Sequence, residues 1–183
     1  IVMENKSIIK LKRSKDISIP LRLIFSGTLT RECGVYNALD WFRKLNINGE
    51  FELIMIGHTP LKKDHKTLSE IVLDGFNYQG SLAPIPHDLL VEEMILADFG
   101  LICYEMSPSK RGKMPTKIYE YLSLGLPMIC QDYKLWIDYI NTAGVSYDES
   151  LNLEDLSKYF ETSSNDDVYW ESDKLDDWLK ELL

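Results

Sequence analysis

"PTKIYEYLSLGLPMICQD", residues 115 to 132, contains one whole repeat unit of a fold. Pro115 stands where a helix can begin without losing a needed N–H, and Gly125 stands where one stops. Between them Ile118, Tyr121, Leu122 and Gly125 recur at i, i+3, i+4 and i+7, one face of a helix over 115–125. "LPMICQD" (126–132) then reads as a short apolar strand buried on both sides. Working outward, the same unit recurs. Strands are expected at 21–27, 51–57, 76–82, 99–105 and 145–149, and helices at 36–45, 65–75, 86–97 and 134–144. Strands alternating with helices of this length predict βαβ units: a parallel, Rossmann-like α/β sheet of about six strands, with helices on both faces.

Residues 1–19 read as a linker or lead-in, and 20–183 as one domain with C-terminal helices. In the acidic tail, Leu175, Trp178, Leu179 and Leu182 keep helical spacing and predict an apolar stripe that needs a partner. The chain opens on Ile1, which suggests an excised domain.

The 183 residues carry 20 Lys and Arg against 29 Asp and Glu, a formal net charge of −9. That excludes a general nucleic-acid binder, which would show an extended basic face. Cys33, Cys103 and Cys130 form no C-x-x-C pair, and two of them sit in apolar runs, as buried thiols of a reducing cytoplasm would. His58, His65 and His87 are scattered, so no metal site is expected. No stretch approaches the length that spans a membrane, and no signal peptide is expected.

In a doubly wound sheet, ligands bind beyond the carboxyl ends of the strands, where the strand order reverses. Two loops there are informative. Between Met106 and Tyr119 there is no acid, yet Lys110, Arg111, Lys113 and Lys117 are present, just before a helix N-terminus. Free N–H groups and the helix dipole already favour anions at that place, and guanidinium and ammonium groups add grip, so a phosphate-bearing ligand is expected. A solvated basic loop is the plainer alternative. Lys117 and Glu120 fall on a different helix face from Ile118 and Tyr121. They read either as a surface ion pair or as a site in which Glu120 accepts bonds from two neighbouring hydroxyls, as on a ribose. The second loop, "SGTLTRECG" (26–34), puts Gly27 and Thr28 after a strand and Gly34 before a helix. Glycine there lets N–H groups approach a ligand, though it is not the G-x-G-x-x-G pattern.

Together these loops resemble the C-terminal, donor-binding domain of GT-B-fold glycosyltransferases. The nearest resemblance is to the large retaining group (group 1, family 4 type) that includes sucrose and glycogen synthase-like enzymes and many bacterial polysaccharide transferases. "MPTKIYEYLSLGLPMI" looks like that family's P-x-K-x-x-E-Y-x-x-x-G-x-P segment. "FELIMIG", "YQGSL" and "LLVEEMILADFGLICYE" look like its intervening elements in the right order. The resemblance implies that Glu120 binds the ribose of a nucleotide-sugar. Pro115, Thr116 and Lys117 would lie near the diphosphate and donor sugar, and Gly27 and Thr28 would face the diphosphate. Lys117 is the catalytic candidate, stabilising the leaving diphosphate together with Lys110, Arg111 and Lys113. The donor is a substrate, no cofactor is implied, and the sequence has no D-x-D to hold a cation beside a diphosphate.

The chain departs from the family in three places. Thr28 and Cys33 stand where the family often has a diphosphate-binding Arg and Lys, leaving Arg31 as a partial substitute. Gly112 stands where a second acid would contact the donor sugar. The N-terminal acceptor domain is absent, so the fragment alone is expected to be inactive. That missing domain would be its partner, and the full-length enzyme could associate peripherally with a membrane. A sugar-nucleotide epimerase of the same fold and a non-catalytic interaction module are the alternatives.

Overall fold

The computed structural model describes residues 19–108, 110–140, 144–146 and Leu156. The lead-in and the apolar stripe at Leu175–Leu182 lie outside the described residues. The elements alternate as β1 (Leu21–Thr28), α1 (Val35–Leu45), β2 (Phe51–His58), α2 (Lys62–Ser69), β3 (Phe76–Ser81), α3 (His87–Leu96), β4 (Phe99–Ile102), α4 (Thr116–Ser123), β5 (Met128–Cys130) and α5 (Lys134–Ile140). Five parallel strands form the body of the sheet, and a three-residue strand, β6 (Gly144–Ser146), pairs with β5 at its edge. The order is β3-β2-β1-β4-β5-β6. The chain builds outward from β1 to β3, then crosses back to lay β4 on the other side of β1. The strand order therefore reverses between β1 and β4, and the crevice expected of this fold opens at their carboxyl ends.

Side chains on a strand point alternately to the two faces, and the core divides accordingly. Leu21, Leu23 and Phe25 of β1 join Phe51, Leu53 and Met55 of β2 in one cluster with Ala38, Leu39, Trp41 and Phe42 of α1. Ile24 of β1 and Ile54 and Ile56 of β2 face the other way, against Met94 of α3, Ile118, Tyr121 and Leu122 of α4 and Trp136 of α5. Both faces are covered, which is why these strands read as continuous apolar runs.

α4 ends as its sequence predicts. Gly125 adopts φ 62°, and the Leu126 N–H donates to the Tyr121 carbonyl at 2.9 Å while the Gly125 N–H donates to Leu122 at 3.0 Å. This is a Schellman stop. Other boundaries differ from expectation. The helix expected at 65–75 spans Lys62–Ser69, because Gly75 (φ 71°) does not cap it. Gly75 instead turns the chain against β2, where an added Cβ would come within 2.5 Å of the Phe51 carbonyl oxygen. The strand expected at 99–105 ends at Ile102, where Gly34, the N-cap of α1, packs against the backbone of Cys103 and Tyr104. Gly34, at φ 87°, crosses Cys103 so closely that any Cβ would overlap its carbonyl. The strand expected at 126–132 pairs only over Met128–Cys130.

Candidate functional site

The site begins with the turn that closes β1. Gly27 has φ 97°, a left-handed conformation natural to glycine, and its neighbour on β2 is Gly57. A Cβ on Gly57 would stand 1.7 Å from the Gly27 carbonyl oxygen, so the two strands close in only with glycine at 57. A Cβ on Gly27 itself would stand 3.2 Å from Cε of Lys117. The β1 turn therefore lies directly against the first turn of α4.

Tyr121 fixes that contact. Its ring lies over Gly100 of β4, where a Cβ would come within 2.4 Å of it. Its hydroxyl is hydrogen-bonded to the Ser26 hydroxyl at 3.1 Å and reaches the Ile24 carbonyl at 3.4 Å. Helix α4 is thus registered on β1 one residue before the turn.

Lys117 departs from the sequence-based expectation. Of the two readings of its sequence, the surface ion pair with Glu120 is the one the structure does not show: Lys117 is only 5 % exposed and its Nζ has no hydrogen-bond partner among the described residues. Its side chain runs inward beneath the Gly27 turn, and its Nζ stands 3.8 Å from the centroid of the Phe25 ring and 5.6 Å from that of Tyr104. No hydrogen-bond acceptor reaches it. The cation–π contact with Phe25 compensates only part of the lost hydration. Desolvation pulls the Lys117 ammonium down to about 8, opposed by the nearby Cys33, Glu120 and Cys103.

Glu120 faces the other side of the crevice. Its Oε1 meets Nε2 of His87, the first residue of α3, at 3.4 Å, and its side chain keeps 28 % exposure. Pro115 is the N-cap of α4, and no side chain caps the N–H groups of the first turn at Thr116 and Lys117. Open donors, a buried amine and a glycine turn therefore meet at one point, with a half-exposed carboxylate on the next turn of the helix.

The remaining candidates are placed less centrally. The Lys110 amine donates to the carbonyls of Glu32 and Glu105, the latter at 3.2 Å, and lies 5.1 Å from the Tyr104 ring centroid. It ties the basic loop to the β1–α1 loop. Arg31 stacks on Tyr36, its Cζ 4.7 Å from the ring centroid, and Asp64 accepts a 2.7 Å bond from the Tyr36 hydroxyl. Arg31 therefore turns towards α2 and not towards Lys117. Arg111 and Lys113 are exposed, as is Thr28. Their loop is moored on α5: the Gly112 N–H donates to the Tyr133 hydroxyl at 3.0 Å, and the Trp136 indole donates to the Lys113 carbonyl at 2.8 Å. A Cβ at Gly112 would meet nothing within 4 Å, but its φ of 73° is left-handed, a conformation natural to glycine and strained for an acid.

Sequence reasoning missed the walls of the site. Phe25 and Tyr104 were read as strand residues, and His87 as an isolated histidine. On the α1 face of β4, a cavity of about 270 Å³ is lined by Asn37, Asp40, Cys103 and Gln131. Among the described residues, no three His, Cys, Asp or Glu side chains gather as a metal site, and no helix is long and apolar enough to cross a membrane.

No family model matches the chain, and no curated protein matches it. Solved structures do. A trehalose-6-phosphate synthase from Burkholderia multivorans aligns over 78 % of this chain at TM-score 0.53 and 12 % identity. The E. coli enzyme bound with UDP-2-fluoro glucose aligns over 78 % at TM-score 0.52 and 13 % identity. The UDP-forming enzyme of Burkholderia xenovorans in complex with glucose-6-phosphate aligns over 89 % at TM-score 0.52 and 12 % identity. The chain spans 33 %, 36 % and 44 % of those three chains. At such identities the likeness is one of fold, and the fold is the Rossmann-like domain of GT-B glycosyltransferases.

Proposed function

We propose that this chain is the nucleotide-sugar-binding half of a GT-B glycosyltransferase, of the retaining family 4 type, working in bacterial polysaccharide or glycoconjugate synthesis. The observation that carries the reading is Lys117: a buried amine with no acceptor, beneath the Gly27 turn, at the uncapped start of α4 and at the point where the strand order reverses. Such a group is costly unless an anion completes it. A diphosphate lying across the Gly27 turn would accept from Lys117 and from the first-turn N–H groups. Glu120 would then accept from the two ribose hydroxyls, with His87 holding its other side.

In transfer, negative charge grows on the leaving diphosphate as the sugar departs. Lys117 and the α4 N-terminus are already in place there, so stabilising that charge requires little reorganisation. The acceptor and the opposite wall of the cleft would come from the N-terminal domain of the same enzyme. The test is calorimetric titration with UDP and GDP, beside uridine and guanosine. Diphosphates should bind and the bare nucleosides should bind far more weakly; equal affinity for both would remove the diphosphate from the site.

A non-catalytic module is the second reading. It draws on Thr28 and Cys33, and on Arg31 being stacked on Tyr36 away from Lys117. It expects no nucleoside diphosphate binding at all.

A further inference from the structure

We infer that the donor site is proton-linked: the Lys117 amine takes up a proton from solvent as a nucleoside diphosphate enters, so alkaline pH disengages the ligand. This rests on the donor-site reading and adds its regulation.

The geometry supplies the reason. Among the described residues, Lys117 Nζ is enclosed by one element after another, and none gives it a hydrogen-bonded counter-charge. From β1 it meets the Phe25 ring at 3.8 Å. From the chain after β4 come Tyr104, at 5.6 Å from its ring centroid, and the Cys103 thiol; the β1–α1 loop contributes the Cys33 thiol. Burial pushes Cys103 up to about 12 and raises Tyr104 further, so both stay protonated and neutral. Glu120, on the same helix, is the one acid that acts on the amine, and its Oε1 faces His87 instead. Lys110 sits on the same Tyr104 ring and adds like charge.

An ammonium held this way loses its proton more readily than one in water, and burial brings it to about 8. A diphosphate beside the Gly27 turn would supply the missing negative charge and restore the proton. Coupling of two ligands is reciprocal: whatever the anion does for the proton, the proton does for the anion. The ligand's terminal phosphate ionises near ~6, so above about pH 7.5 it contributes no proton of its own. The uracil or guanine N–H also ionises at more alkaline pH, so uptake is assigned to the protein at about pH 8.5, where the base is still largely protonated.

The experiment is calorimetry of UDP and GDP binding at about pH 8.5, in two buffers of different ionisation enthalpy, whose difference gives the protons taken up. The expected result is most of one proton per bound ligand, with affinity falling by up to about tenfold for each pH unit above 8. Lys117→Arg keeps the charge but cannot titrate in this range, so uptake should vanish in a variant that still binds. Lys117→Met should lose both uptake and diphosphate affinity. The wild-type proton count stands by itself if either variant fails to fold. Wild-type binding with the same heat in both buffers overturns proton linkage while leaving the donor site standing. Failure of the wild type to bind UDP or GDP at neutral pH overturns the donor site, and the linkage with it.

Discussion

A lysine buried without an acceptor has a cost that can be measured in the free protein. Its pKa falls from 10.5 in the unfolded chain to about 8 in the fold. The unfolded state therefore binds more protons between those two values, and stability rises with pH across that window. The full shift corresponds to roughly 3 kcal/mol at most, at about 1.4 kcal/mol per unit. Lys117→Met keeps the stem and removes the charge. It should be more stable than wild type at pH 7 by about 1–3 kcal/mol, and should lack the rise above pH 8. Urea denaturation at a series of pH values measures both; a variant less stable than wild type at pH 7 would contradict the assignment.

For Glu120, Glu120→Gln should weaken UDP by about tenfold. The variant should also discriminate less between UDP and 2′-deoxy-UDP; unchanged discrimination would separate Glu120 from the ribose. Glu120 and Gly27 were legible in the sequence because a motif and a turn mark them. The burial of Lys117 was not. Helical periodicity places residue 117 beside residue 120, but it carries no information about the strand turn that passes over the helix start.

At the scale of elements, the contact between α4 and the sheet depends on Tyr121 and Gly100. Tyr121→Phe removes the partner of the buried Ser26 hydroxyl and should cost about 1–3 kcal/mol. Gly100→Ala would put a methyl group within 2.4 Å of a packed aromatic ring, with no room for it to yield, and should cost at least about 2 kcal/mol. Thermal or urea unfolding checks both, and a Gly100→Ala chain as stable as wild type would mean that Tyr121 does not lie where it is placed. The strand–helix alternation was legible because parallel strands buried on both faces leave an apolar run. The lengths of β4 and β5 were not, because apolar character runs on to Cys103 after the β4 ladder has stopped and begins at Leu126 before the β5 ladder starts. For α2, Gly75 looked like a helix stop and is a tight approach to β2 instead, a distinction that depends on a contact distant in sequence.

Over the whole molecule, the order β3-β2-β1-β4-β5-β6 concentrates the candidate chemistry at the carboxyl ends of the two central strands, β1 and β4. Parallel βαβ architecture was readable from the alternation, while the position of the reversal was supplied by the long return from β3 to β4 through α3. The chain spans 33–44 % of the chains it resembles in fold, and on the donor-half proposal it would supply one side of a two-sided cleft. Incubated alone with UDP-glucose and an acceptor sugar, it should release no UDP by chromatography; measured transfer would show that one domain suffices.

The mooring of the basic loop on α5 makes Trp136 an internal optical reporter. Its indole is 1 % exposed and donates its N–H to the Lys113 carbonyl, with Tyr133 packed edge-on at 4.9 Å. Emission from such an indole depends on the carbonyl it faces, so a shift of the loop by a fraction of an ångström changes wavelength and quantum yield. With Trp41, Trp170 and Trp178 replaced by Phe, the arrival of an anion at the loop would register as a spectral change, read in real time and without a label.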